Sequence, residues 1–223
     1  MNSLLLINKP IGLSTFDLIR HLKKAIKPDF KVGHAGTLDV FADGLVVLLL
    51  GDATKTFTDF QEHPKTYLAT ARLGISSPTL DIEGELTIQK NYVSPGRETI
   101  EQTIKDFPQK YDQTVPSYSA AKHQGKPLYK HARSGKLLTK TKPVTIHNLE
   151  LVAHKNPLVT FKATTSSGTY IRQLSYDLFR KLEIDSFLSN LTRTEIGPYK
   201  LQNAATLEDL YNQNWKQYLV TIC

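Results

Sequence analysis

Cysteine is all but absent from this 223-residue chain, occurring once, as Cys223 at the last position. A single thiol excludes an intrachain disulfide framework and any cysteine-based metal cluster. Long apolar runs are missing too. The longest, Leu45 to Leu50, falls far short of the roughly 20 residues that cross a bilayer. The run Leu4-Leu5-Leu6-Ile7 is too short for a signal-peptide core and meets Lys9-Pro10 directly. These absences predict a soluble, cytoplasmic protein with no membrane partner. There is no Gly-rich phosphate loop ending in Lys-Ser or Lys-Thr and no dinucleotide fingerprint. The seven histidines show no close metal-ligand pairing with carboxylates, and Ser166-Ser167-Gly168 lacks the surroundings of a nucleophile elbow. An enzyme built on this sequence is expected to run without a metal or an organic cofactor.

Acidic residues are missing from one long stretch. The chain carries 28 Lys and Arg against 21 Asp and Glu, a net charge of +7. Residues 1–60, 61–120 and 181–223 are close to neutral, whereas residues 121–180 hold 11 basic and 2 acidic groups, hence +9. No Asp or Glu lies between Asp112 and Glu150. That interval holds Lys122, Lys126, Lys130, Arg133, Lys136, Lys140 and Lys142, with Tyr118 and Tyr129 interleaved. Concentrated cations with aromatics suit a phosphate backbone; a Lys-rich solvated face is the plainer alternative.

What is present reads as a mixed α/β protein with a mainly antiparallel sheet. Strands are predicted over Ser3–Asn8, Leu45–Leu50, Thr66–Leu73, Val144–His154, Leu158–Thr165 and Ser189–Ile196. Helices are predicted from Ser14, with Asp17 as capping partner, to the stop at Pro28, and over Asp52–Phe60, Arg97–Phe107, Pro127–Ser134, Gly168–Leu182 and Thr206–Tyr211. Phe16, Ile19, Leu22 and Ile26 recur at helical spacing. Residues 30–44 have no period and read as a loop. No linker or repeat divides the chain, so residues 1–223 are expected to form a single domain.

That loop is where chemistry is expected. In Lys31-Val32-Gly33-His34-Ala35-Gly36-Thr37-Leu38-Asp39, two glycines flank a histidine, and a carboxylate follows just before a buried strand. Glycine allows close approach of backbone to a ligand or a positive φ, and loops held by a rigid sheet commonly carry reactive groups. Asp39 is therefore a candidate nucleophile or general base, or equally the cap of a turn.

The segment Gly33-His34-Ala35-Gly36-Thr37-Leu38-Asp39 resembles the signature loop of the TruB family of tRNA pseudouridine synthases. Five further segments resemble that family in the same order. They are the Lys9-Pro10 segment from Leu6 to Ser14, Lys65-Thr66-Tyr67, Pro116 to Lys122 with Gly125, Tyr129 and Ala132-Arg133, Ser167 to Arg172, and Leu191-Thr192-Arg193-Thr194. The resemblance implies the pseudouridine synthase fold, with a long mixed, mainly antiparallel sheet flanked by helices. It implies isomerisation of uridine to pseudouridine, most often uridine 55 in the T arm of tRNA, by a monomer. Asp39 aligns with the catalytic aspartate and would attack either C1′ of the ribose or C6 of the base. Tyr67 aligns with the tyrosine that stacks on the base and accepts a proton. Arg172 aligns with the arginine that pairs with the aspartate, a cation that favours the ionised carboxylate. His34, Tyr170 and Leu191 align with positions around the extruded nucleotide, and Lys9, Lys122, Lys126, Lys130 and Arg133 are expected to bind RNA. A base folded into an RNA loop must be flipped out, at a cost of a few kcal/mol.

The sequence also departs from the family pattern. Val40 stands where proline is usual, Asp43 puts a second carboxylate near Asp39, and Val115-Pro116 replaces a Pro-Pro pair. The chain is expected to lack the C-terminal PUA RNA-binding domain of many bacterial relatives, so the basic segment at about 113–149 is expected to hold the RNA.

Overall fold

The computed structural model describes residues 2–136 and 138–222; Cys223 and the side chain of His123 lie outside the described residues. In chain order the elements are β1 (Asn2–Lys9), α1 (Thr15–Ile26), β2 (Val32–His34), β3 (Asp43–Gly51), α2 (Phe57–Glu62), β4 (Lys65–Leu73), β5 (Ile75–Ser76), β6 (Thr87–Ile88), α3 (Arg97–Lys105) and β7 (Lys110–Thr114). There follow β8 (Lys122–His123), β9 (Lys126–Pro127), α4 (Leu128–Arg133), β10 (Thr141–Lys155), β11 (Leu158–Thr165), α5 (Ile171–Arg180), β12 (Ser186–Ile196), β13 (Tyr199–Lys200), α6 (Leu207–Tyr211) and β14 (Leu219–Thr221). The chain divides into two compact units. One comprises residues 1–68 and 191–223, the other residues 69–190. Strands β4 and β12 each contribute residues to both.

The first unit is organised by β3. Its run Leu45–Leu50 is buried on both faces, which is why its sequence is continuously apolar rather than alternating. Leu45, Val47 and Leu49 join Leu4, Leu6, Ala35, Ala53, Phe60 and Ile196 in one core cluster. β1 pairs antiparallel with β3 along its whole length, from Asn2 opposite Gly51 to Lys9 opposite Gly44. That occupies one edge of β3. The other edge is shared: β2 pairs antiparallel with its end, His34 opposite Leu48, and β12 pairs parallel with its start, Thr192 opposite Asp43 and Arg193 opposite Gly44. The segment joining β2 to β3 therefore leaves this edge near the strand's end and returns beside Arg193.

Helix α1 starts as the sequence predicts. Ser14 and Asp17 form a reciprocal capping box, and Lys27 closes the helix in the left-handed region. Its buried stripe is Thr15, Leu18, Ile19 and Leu22, one position round from the expected one. Phe16 is 68% exposed and meets only the edge of the His34 ring among aromatic partners in the described residues. The predicted helix at residues 52–60 is a 3-10 turn, Asp52–Thr56, followed by α2.

In the second unit β10 pairs antiparallel with β11 and with β7, and two register shifts bend the long β10–β11 ladder. Helix α3 packs on β10, and α5 packs on α3 and β7. Helix α5 begins at Ile171, three residues later than the sequence suggests, because Gln113 intercepts the backbone before it. The Tyr170 N–H donates to Gln113 Oε1 at 2.8 Å and Gln113 Nε2 donates back to the Tyr170 carbonyl at 3.1 Å. The basic interval folds as the β8–β9 hairpin, turning at Gln124-Gly125 with positive φ at both, and runs on into α4. Among the described residues no helix is long and apolar enough to cross a membrane.

Candidate active site

The expected site residues fall in both units. Lys9, His34, Asp39, Tyr67 and Leu191 belong to the first, and Lys122, Lys126, Lys130, Arg133, Tyr170 and Arg172 to the second.

In the first unit, the loop bearing Asp39 has little freedom, because its carbonyls are occupied one after another. Arg193 donates from Nη2 to Gly36 O at 3.2 Å, from Nη1 to Thr37 O at 3.1 Å and from Nε to Leu45 O at 2.8 Å. The Thr15 hydroxyl accepts from the Leu38 N–H at 3.1 Å. Ala42 N–H donates to Asp39 O at 3.2 Å, and Gly12 N–H donates to Val40 O at 2.9 Å. Lys9 donates to Ala42 O at 2.5 Å, and also to Pro10 O and Leu13 O. Lys9 is fully buried, so the cation expected to bind RNA instead grips the carbonyls of two adjoining loops.

Gly44 is required for two reasons. Its φ is +109°, and a Cβ there would run into the backbone of Arg193 across the parallel pairing. Asp43, the second carboxylate, opens β3 opposite Thr192.

His34 titrates below its ordinary value, first because it is buried and then because of the Arg193 charge. At neutral pH it is an uncharged ring, packed edge-on against Phe16 at 5.7 Å. Tyr67 and Leu191 are buried, 9% and 5% exposed. Near Tyr67 on β4, Lys65 donates to Phe60 O and His63 O, and burial plus the Arg193 charge lower its pKa to about 8.

In the second unit Arg172 is buried and ion-paired with Asp81 at 2.9 Å. The same guanidinium donates to Thr79 O at 2.7 Å and to Tyr118 O at 3.3 Å. Lys142 donates to Gly168 O and lies 5.1 Å over the Tyr170 ring. Lys122, Lys126, Lys130 and Arg133 lie on the hairpin and α4, all four are exposed, and Arg133 covers the ring of Tyr129 at 5.6 Å. A cavity of about 380 Å³, lined among others by Tyr111, Asp177 and Lys181, holds none of the expected site residues.

Two participants leave little trace in the sequence. Asp81, which ion-pairs with Arg172, sits in a turn-rich stretch where a carboxylate has many ordinary reasons to be, and no pattern marks it. Arg193 lies inside a recognisable motif that gives it no role. Its signal is parity: in a strand it shares the face of Leu191, and that face is buried.

Comparison with known proteins places these residues in a family. Residues 22–171 match the family model described as TruB family pseudouridylate synthase, N-terminal domain. The chain is 40% identical over 210 residues to a protein named tRNA pseudouridine synthase B from Caldicellulosiruptor saccharolyticus, covering 93% of this chain and 72% of that one. It is 40% identical over 223 residues to one of the same name from Protochlamydia amoebophila, covering 99% and 84%. Among solved structures, it superposes on a chain of a Cbf5–Nop10–Gar1 complex with a TM-score of 0.77 at 22% identity, and on a chain of an H/ACA RNP bound to a substrate RNA containing 2′-deoxyuridine with a TM-score of 0.74 at 20% identity. Each match covers 98% of this chain but only 60% and 59% of the solved chain. At those identities the likeness is one of fold.

Proposed function

Because the chain belongs to the TruB family of pseudouridylate synthases, we propose that it isomerises uridine to pseudouridine in tRNA, at uridine 55 of the T arm, with Asp39 as the nucleophile. The observation that carries this reading is the seat of Asp39, inside the matched region and in a loop whose backbone is immobilised on both sides of it. Preorganisation of this kind is what a nucleophile needs, since a misplacement of about 1 Å costs on the order of a hundredfold in rate.

The reaction is an isomerisation, so nothing is consumed. The bond between N1 of uracil and C1′ breaks, the base turns over, a bond from C5 to C1′ forms, and the proton that leaves C5 is balanced by one gained at N1. Asp39 opens the sequence by attack on the nucleotide. Tyr67 and Arg172 keep the roles the family resemblance implies for them. His34, neutral and edge-packed, presents an uncharged ring to the space of the extruded base. The cations of the β8–β9 hairpin and α4 suit tRNA phosphates, and such contacts offset the few kcal/mol of unstacking.

The test is Asp39→Asn. Pseudouridine in a T-arm transcript should vanish while tRNA affinity stays within a few fold. Full activity in that variant would sink the reading. Tight tRNA binding by the wild type, with no modified uridine, would favour an RNA-binding factor that needs no chemistry.

A further inference from the structure

We infer that Arg193 is a positioning residue for the reaction, holding the Asp39 loop in its attack geometry through the loop's own carbonyls. The inference rests on the reading of Asp39 as the reacting carboxylate.

Arg193 is 2% exposed and among the largest fully buried side chains of the described residues. Among those residues no carboxylate pairs with it. A buried guanidinium without a counter-ion is costly and survives only where oriented dipoles replace both its water and its anion. Here the dipoles come from three backbone carbonyls, and their places in the sequence matter. Gly36 and Thr37 precede Asp39 and Leu45 follows it, so one rigid fork ties both arms of the loop to β12. Arginine suits this because its donors diverge in a fixed plane; lysine offers one nitrogen on a flexible stem. β12 is itself pinned at this point, since Arg193 pairs with Gly44 in parallel register and only glycine fits there. The clamp therefore has a fixed base and a fixed reach. Its charge extends further, helping to keep His34 neutral.

The experiment measures single-turnover pseudouridine formation at saturating tRNA, with tRNA affinity, active-site titration and thermal unfolding on the same preparations of full-length protein. Arg193→Lys keeps the charge and loses the fork. Its rate constant per active site should fall about 10–100-fold, with tRNA affinity within about threefold. Arg193→Ala should fall further and regain rate, saturably, on adding millimolar methylguanidinium but not equal sodium chloride or urea. A purely structural residue would instead lower the melting temperature and the titratable fraction while leaving the rate per active site unchanged. An unchanged rate in Arg193→Lys, no specific rescue of Arg193→Ala, or failure of both variants to fold overturns the inference. The wild type run alongside keeps the outcomes separate: an inactive wild type defeats the proposed function, whereas an active wild type with an equally active Arg193→Lys defeats only the clamp.

Discussion

Arg172 and Asp81 form a buried ion pair, 2.9 Å between Nη1 and Oδ2, with side chains 5% and 4% exposed. The carboxylate is fully engaged, since it also accepts from the Thr79 hydroxyl at 2.6 Å and from the Glu83 N–H at 3.0 Å. Residues 79–83 and the start of α5 are thereby locked together. Removing one partner of a buried ion pair costs far more than removing one of an exposed pair, because the charge left behind has little access to water. Asp81→Ala should destabilise the protein by about 3–5 kcal/mol. The comparison is Asp185→Ala, whose pair with Arg180 is partly exposed and worth about 0–1 kcal/mol. Denaturant unfolding of the two variants checks the contrast, and equal losses would deny the pair its structural weight.

Gly44→Ala should cost about 2–4 kcal/mol, combining a left-handed backbone with a contact into the Arg193 backbone. Because the clash displaces the strand that carries the Arg193 fork, pseudouridine formation should fall along with stability. Gly125→Ala is the matched control, with φ +80° but nothing within 4 Å of the added carbon. Its cost should be confined to the backbone, about 1–2 kcal/mol.

Lys126 and Lys130 are exposed on β9 and α4. Replacing both by alanine should weaken tRNA binding with little regard to sequence. For every phosphate that a lysine no longer neutralises, the logarithmic salt slope should flatten by about 0.7–0.9. Affinity titrations from low to high salt read this directly. An unchanged slope would return both lysines to a solvated face.

Lys65 provides a pH test. Its pKa falls from 10.5 to about 8, chiefly through burial and then through the Arg193 charge. Between about pH 8 and 10.5 the unfolded chain keeps that proton and the folded chain has released it. The unfolded state then binds more protons, so stability rises with pH in this window. Relative to Lys65→Met, the wild type should gain stability as pH rises from about 8 to 10 and show a flat difference below about pH 7. Unfolding free energies across that range decide it, and a difference that stays constant would rule out the depressed lysine.

The amphipathic start of α1, the buried run of β3 and the Asp39 loop were legible because each is written locally. Ser14 and Asp17 are three residues apart, Leu45–Leu50 is contiguous, and the loop's glycines and carboxylate are close neighbours. The order of six motifs along the chain also carried the family. Tertiary structure alone decided what those side chains touch. It turned Phe16 outward, it sank Lys9 among the carbonyls of Pro10, Leu13 and Ala42, it set Asp81 on Arg172, and it gave Arg193 the carbonyls of Gly36, Thr37 and Leu45. The reason is physical. Caps and apolar periodicity act over three or four residues and leave a pattern. A buried cation finds its partners roughly 90 or 150 residues away in sequence, through strand pairings whose register is set by the whole sheet.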